Sequence, residues 1–584
     1  MQPQDWPITD EGVPLPEPGP EFPVSVLKGT REEWSGVLEP YAGQVPTDVS
    51  GQAFLLGASP FADGSPMFMG DGMLYRLSFS PQGKALLTRR LVRTDDLLVD
   101  EATQNRKDLA FANSGQVRVS QSFGFRNFAN TAPVRLGDDR LLCCYDAGRP
   151  WEIDPYSMDT LTPVGALDAW RSGIPALNPA LGFFPLQTTT AHPAYDPDER
   201  LLYLVNYAPL FGDLNLGAFT RIVRWDGTGA LRSTEVVDER GQPVAVRQCL
   251  HQIQVTRNFV ILQDGAFRIE LAQLFGQEKT EAQMPVSVFY IVPKAGLVDG
   301  GKVRAVRVEI PIESIHFMAE RDDAGDRVTL LVNHQGSMDV SEWLRKDDVE
   351  KYSGRPVSAS LLGAICSPAD RCVLGKYAID ARTGQVLADQ SRRLDEERLW
   401  GLALWTQDER PGRPALGTKF WMAQGFVPSL FLQRIYELYK NHPHRTVGLA
   451  ELPRQTLPPR LLRIDHQSMR ITDEFLVPQG HVLMAPVFMP RKGGGPDEGY
   501  VVTLVARPEP HEVWIFAASD LRRGPICRLR HPKLQAGFLI HSCHMPDVAP
   551  QPPRYRIDRA DDYRDRLKLL GPEAQKVARA ALKL

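Results

Sequence analysis

The chain of 584 residues has no apolar run approaching the roughly 20 residues that cross a bilayer as a helix. It has no basic stretch interleaved with aromatics. Its 67 Lys and Arg nearly cancel 71 Asp and Glu, leaving a net charge of −4, which argues against a surface built to wrap a polyanion. The seven cysteines are odd in number and lack paired metal-site spacing, and adjacent Cys143 and Cys144 cannot close an ordinary bridge with each other. They fit free, core-packed thiols in a reducing cytoplasm. Residues 1–22 are acidic and proline-rich, without the basic start and apolar block of a secretory signal. Helical periodicity is scarce, confined to 342–352, 429–440 and 561–584. Histidine is scarce too, at twelve.

What the chain does have is 43% hydrophobic residues, gathered in short runs rich in β-branched and aromatic side chains. Such runs occupy 141–145, 201–207, 221–225, 259–263, 328–332, 372–379, 501–505 and 513–516, each bounded by turn residues, and they predict strands. A looser unit of strand, Asp-containing turn and strand recurs in "WEIDPYSMDTL", "YDPDERLLYLV", "RWDGTGALRS", "YAIDARTGQVLA" and "RIDHQSMRI". Small sheets repeated at this density point to an all-β propeller rather than a sandwich. No shift in composition splits the chain. The expected organisation is a proline-rich extension over 1–22, one propeller domain over 23–545, and a helical tail over 546–584 after a proline-rich joint.

The histidines divide by context. His442, His444, His466 and His511 lie in polar, turn-like surroundings that predict exposure; His531 is taken as structural, and His334 and His481 are ambiguous. His192, His251, His316 and His541 lie at or beside apolar strand-like runs, separated by 59, 65 and 225 residues. The first two gaps are about one propeller blade each, and the last about four. Innermost strands of successive blades face one axis, so histidines carried once per blade would converge there as ligands of one metal. Neutral imidazole suits iron, copper or zinc. Two other readings stay open: four separately hydrogen-bonded core histidines, or a small zinc site built from His541, Cys543 and His544.

Several blocks then resemble, in order, the carotenoid cleavage oxygenase family: "MGDGMLYRLSF", "NTAPVRLGDDRLLCCYDAGRPWEIDP", "AHPAYDPD", "LHQIQVTRNFVIL", "IHFMAERDDAGDRVTLLV", "APVFMPRKGGGPDEGYVVTLV" and "ASDLRRGPICRLRHPKLQAGFLIHS". The resemblance implies a seven-bladed β-propeller under a helical and loop dome, with Fe(2+) held on the axis by His192, His251, His316 and His541. It places Thr131 near an open coordination position. It also implies glutamates that hydrogen-bond three of the histidines. Asp146 stands at the first of these positions and Ala485, which can accept nothing, at another; Glu396 or Glu397 is a candidate for the third. Ala319 and Ser542 are further departures from the family pattern.

The activity so implied is dioxygenase cleavage of a carbon–carbon double bond to carbonyl products, with no side chain needed as acid or base. The implied substrate is an apolar polyene, a carotenoid or apocarotenoid, in a tunnel for which Phe123, Phe125, Phe128, Phe183, Phe184, Phe426 and Phe431 are candidates. Tyr145 occupies a position that is commonly lysine in members acting on 4-hydroxystilbenes, which favours polyenes. Stilbene cleavage, non-oxidative isomerisation and a degenerate binding scaffold remain as alternatives. The implied partners are the alkene and dioxygen, with peripheral membrane contact open.

Overall fold

A computed structural model describes Val13 and residues 20–177, 182–410, 413–508 and 510–584. Most of the proline-rich extension over 1–22 therefore lies outside the described residues.

The Asp-centred turns recur as one physical device. After its strand, each aspartate turns its carboxylate onto amides two and three residues ahead. Asp154 accepts from the Tyr156 and Ser157 amides, Asp196 from Asp198 and Glu199, Asp226 from Thr228 and Gly229, and Asp380 from Arg382 and Thr383. Asp465 accepts from the Gln467 amide and the Ser468 hydroxyl. These bonds fold the hairpin locally. The Gly229 and Thr228 amides hold the Asp226 carboxyl below the usual carboxylate range.

The hairpins build antiparallel sheets, most of four strands. Their strands are apolar without alternation because both faces are buried. In Phe259–Asp264, Phe259 and Ile261 enter one core while Val260 and Leu262 enter another. In Arg327–His334, Val328, Leu330 and Val332 face one way and Leu331 the other. Each apolar core thus lies between two neighbouring sheets, as in a β-propeller.

Six strands each lie at the end of a sheet: Ala132–Leu136, Ala194–Asp196, Ile253–Val255, Ser314–Ala319, Leu402–Thr406 and Val482–Pro490. The late strand Leu539–Met545 fills the equivalent place beside Gln52–Pro60, joining the two ends of the chain in one sheet. These end strands touch one another, Leu539–Met545 meeting Ala132–Leu136, Leu402–Thr406 and Val482–Pro490. They form the wall of the axis.

Helices are few. The pattern at 429–440 gives the short helix Gln433–Tyr439, and the tail gives Arg559–Leu567 and Pro572–Leu582. The third expected helix, 342–352, is instead turns tied by isolated bridges from Trp343 to Ile365 and Glu350 to Leu432. The helix Asp95–Thr103 was not anticipated; its charged sequence conceals that Asp95, Asp96 and Asp100 are buried. No helix among the described residues is long and apolar enough to cross a membrane.

Candidate metal centre

His192 and His251 lie just before their end strands, and His316 and His541 lie within theirs. Backbone bonds fix the first pair: the His192 amide donates to the His251 carbonyl at 3.1 Å, and the Ile253 amide to the His192 carbonyl at 3.3 Å. The Thr190 hydroxyl donates to the same His251 carbonyl at 2.7 Å. Ring centroids are 4.8 Å apart for His192 and His251, 4.2 Å for His192 and His541, and 5.1 Å for His251 and His316. One ring nitrogen from each of the four lies within 4.8 Å of all the others.

This donor set fits a divalent metal. Burial, then the neighbouring His541, pushes the His192 imidazolium well below the ordinary histidine range. Burial, then His251, does the same to His316, and His541 is pushed down to about 3. These three rings are therefore neutral and offer lone pairs. Nε2 of His192 and Nε2 of His541 are buried without a hydrogen-bond partner, a cost that coordination would remove.

Outer contacts orient two of the rings. Asp146 accepts from His251 Nδ1 through both oxygens, at 2.9 and 3.0 Å. Its loop is held by the Thr189 hydroxyl, which donates to the Tyr145 and Gly148 carbonyls. His316 Nδ1 meets Gln252 Oε1 at 3.1 Å, and the Phe317 amide donates to the same oxygen at 3.1 Å. Gln252 was missed from sequence, although its place directly after His251 was a usable signal. Glu396 instead accepts from Arg398 at 3.0 Å, and neither it nor Glu397 approaches the rings. Ala485 is buried in a bulge of Val482–Pro490 with φ at 43°. Beside it the Ser542 hydroxyl donates to the Pro486 carbonyl at 2.5 Å.

His251, His316 and His541 open onto a cavity of about 320 Å³ that Thr131, Tyr145 and Asp146 also line. Its wall is mainly apolar, including Ile315, Met338, Phe267 and Phe538, and no Lys or Arg lines it among the described residues. None of the seven phenylalanines proposed for a tunnel does so. Phe123, Phe183 and Phe184 pack against Tyr563 and Leu567 of the tail, Phe426 and Phe431 against each other, and Phe128 against Tyr145. The aromatics that do line it include Phe22, Phe68, Phe211, Phe267 and Phe538.

The other histidines are more buried than their polar neighbours suggested. His466 accepts from Trp421 Nε1 at 2.9 Å, His511 is buried against Ser25, and His442 meets the Glu313 carboxylate at 2.7 Å. His544 turns away from His541 to the Ser50 carbonyl at 3.0 Å, so the His541, Cys543 and His544 triplet does not converge on an ion. All seven cysteines are free and buried.

His334 couples folding to pH. Its Nδ1 donates to the Ile312 carbonyl at 2.9 Å and its Nε2 accepts from the Tyr377 hydroxyl at 2.8 Å. Burial pushes its pKa down to about 3. A histidine depressed on folding contributes stability above its unfolded pKa of about 6.5, and that contribution is lost as pH falls below it, by up to about 1.4 kcal/mol per pH unit. The urea midpoint should therefore fall between pH 7 and 5. His334→Gln should lower it at pH 7 but flatten the slope; an unchanged slope would show that His334 is not the titrating group.

Fold and centre together define a β-propeller whose axis carries four clustered imidazoles, three of them bordering an apolar cavity. The model of the retinal pigment epithelial membrane protein family matches residues 27–546, and the chain belongs to that family. The apocarotenoid-15,15'-oxygenase of Synechocystis sp. is 21% identical over 85% of this chain and 91% of its own length. The chloroplastic carotenoid cleavage dioxygenase 7 of Arabidopsis thaliana is 30% identical over 21% of this chain and 22% of its own. Among solved structures, the lignostilbene dioxygenase of Pseudomonas brassicacearum matches with a TM-score of 0.62 and 20% identity, over 91% of this chain and 100% of that one.

Proposed function

We propose that the protein is an Fe(2+)-dependent dioxygenase that cleaves a carbon–carbon double bond of an apolar polyene, a carotenoid or apocarotenoid, to carbonyl products. The observation that carries this reading is the union of four clustered imidazoles, two with orphaned Nε2 atoms, with an apolar cavity at their side. His192, His251, His316 and His541 would hold the ion, and being neutral they leave its charge uncompensated. Bound there, ferrous iron supplies the activation of dioxygen at a position the protein leaves open. Asp146 and Gln252 fix the orientation of His251 and His316. Thr131, on the cavity wall, would border the open position. The apolar wall excludes water and lays the alkene beside the centre, and no side chain has to move a proton.

Two features support a polyene over a phenolic stilbene. Tyr145 stands half-buried on the cavity wall, and among the described residues no Lys or Arg lines the cavity to meet a phenolate. Dividing the nine-stranded sheet at the strand Trp34–Gly43 gives seven blade units, the number we assign to the propeller. We assign the oxygenase domain to 23–545 and the helical tail to 546–584. The free thiols support a reducing, cytoplasmic compartment.

Iron-loaded protein given an apocarotenal in aerated buffer should release shorter aldehydes and consume oxygen stoichiometrically. Turnover that persists without oxygen would replace this reading with isomerase or hydrolase chemistry, and a chain that takes up no iron after anaerobic reconstitution would point to a binding scaffold.

Gln252 offers a graded test of the centre. Gln252→Ala removes the acceptor from His316 Nδ1 and should weaken metal binding about 10- to 100-fold, whereas Gln252→Glu keeps the acceptor, adds charge and should tighten it. Competitive titration with a chelator of known affinity reads both. Equal affinities for the two variants would refute the orienting role.

A further inference from the structure

A second cavity, of about 1130 Å³, meets the imidazole cluster from the other end of the axis. The end strands show this polarity. Thr131, Leu404 and Ile540 border the apolar cavity, whereas Arg135, Trp405 and Ser542, further along the same strands, border the second. His541 borders both and His192 only the second. From the cluster this channel reaches solvent at hairpin ends, where Asp138, Arg200, Asp226 and Thr228 are exposed.

Glu409 stands inside it. Protein surrounds this residue, yet its side chain is open to the channel. Its carboxylate lies beside the His544 backbone. His544 follows His541 by three residues on one extended strand, which sets Glu409 about 10 Å along the axis from the imidazoles. Four arginines also border the channel: Arg135, Arg140 and Arg554 are paired with Asp138, Glu152 and Asp139, and Arg200 is exposed at the mouth.

We propose that this axial channel is the route by which a hydrated divalent metal ion reaches the four imidazoles, with Glu409 as an intermediate carboxylate ligand on the way. The proposal rests on the four-histidine centre inferred above. The physical reason is dehydration. Stripping water from a divalent cation in an apolar cavity is prohibitive, whereas a polar channel keeps the ion solvated until imidazoles replace its waters. Carboxylate oxygen is a suitable transient ligand for such an ion. Metal and polyene then use opposite ends of the axis, and neither has to cross a medium that rejects it.

The test is the rate of Co(2+) uptake by the full chain after its metal has been removed, followed by stopped-flow absorbance, with release followed by chelator chase. Glu409→Trp fills the bore and should slow uptake and release together by about tenfold or more, because a gate raises one barrier seen from both sides. The dissociation constant should stay within about twofold. Glu409→Gln keeps the shape of the side chain and removes the charge, so it should slow uptake and release by a common, smaller factor. Native uptake rates in both variants would overturn the route, as would a weakened dissociation constant at an unchanged uptake rate. A native chain that takes up no Co(2+) would overturn the metal centre itself, an outcome separate from failure of the route.

Discussion

His541→Ala should abolish stoichiometric metal binding and, with it, the rise in melting temperature that metal confers on the native chain. His541 is one of four imidazoles whose ring nitrogens lie within 4.8 Å of one another, and its Nε2 has no other partner. Losing one of four ligands should cost more than losing an outer acceptor, so affinity should fall by more than about 100-fold. The consequence for stability follows from topology. His541 sits on the strand that pairs with Gln52–Pro60 and so joins the end of the chain to its beginning. A metal bound there ties His192, His251 and His316 to the closing strand, and any ligand that binds only the folded state stabilises it by mass action. Elemental analysis and thermal unfolding with and without metal read the two effects. Native metal content in the variant would remove His541 from the centre; retained metal content with a lost thermal shift would separate coordination from closure.

Arg126→Met should destabilise the protein by more than about 3–5 kcal/mol, the cost of breaking one buried ion pair by removing a partner. Arg126 is buried and bonds three buried carboxylates: Asp96 at 2.8 Å, together with Asp71 and Asp100. Arg118 also reaches Asp100, at 2.6 Å, but it cannot serve Asp96 as well. Methionine keeps much of the stem and leaves an excess of negative charge in a dry site. The expected readout is a large fall in the denaturant midpoint, or recovery of the protein only as aggregate. Arg126→Lys, which keeps a charge but not the branched geometry, should be intermediate, and a variant as stable as the native chain would refute the account. The same network gives a reason for the early "GDG" segment: Asp71 is the anchor of Arg126, and a Cβ on Gly72 would run into the Ala129 carbonyl oxygen.

The local parts of this protein were legible in its sequence. Apolar runs such as 259–263 and 328–332 became strands, and the five Asp-centred turns became five hairpins, because both are settled by neighbours a few residues apart. The four histidines were separable from the rest by their apolar surroundings, and the structure brings all four together. The phenylalanines were not sortable. Phe183 and Phe267 look alike in the chain, yet one packs on the tail helix and the other lines the cavity. Exposure of His466 and His511 was misjudged because turn-like neighbours say nothing about what packs over them.

By itself the sequence determined the repeated hairpin, strands buried on both faces, and a set of scarce imidazoles spaced about a blade or a few blades apart. Only the tertiary structure decided that those rings share a centre, that Gln252 rather than a glutamate serves His316 from 64 positions away, and that an apolar cavity and a polar channel meet there. The physical reason is range. Hydrogen bonds within a turn are fixed by short stretches of backbone, whereas cavities and converging ligands exist only after distant strands have closed around one axis.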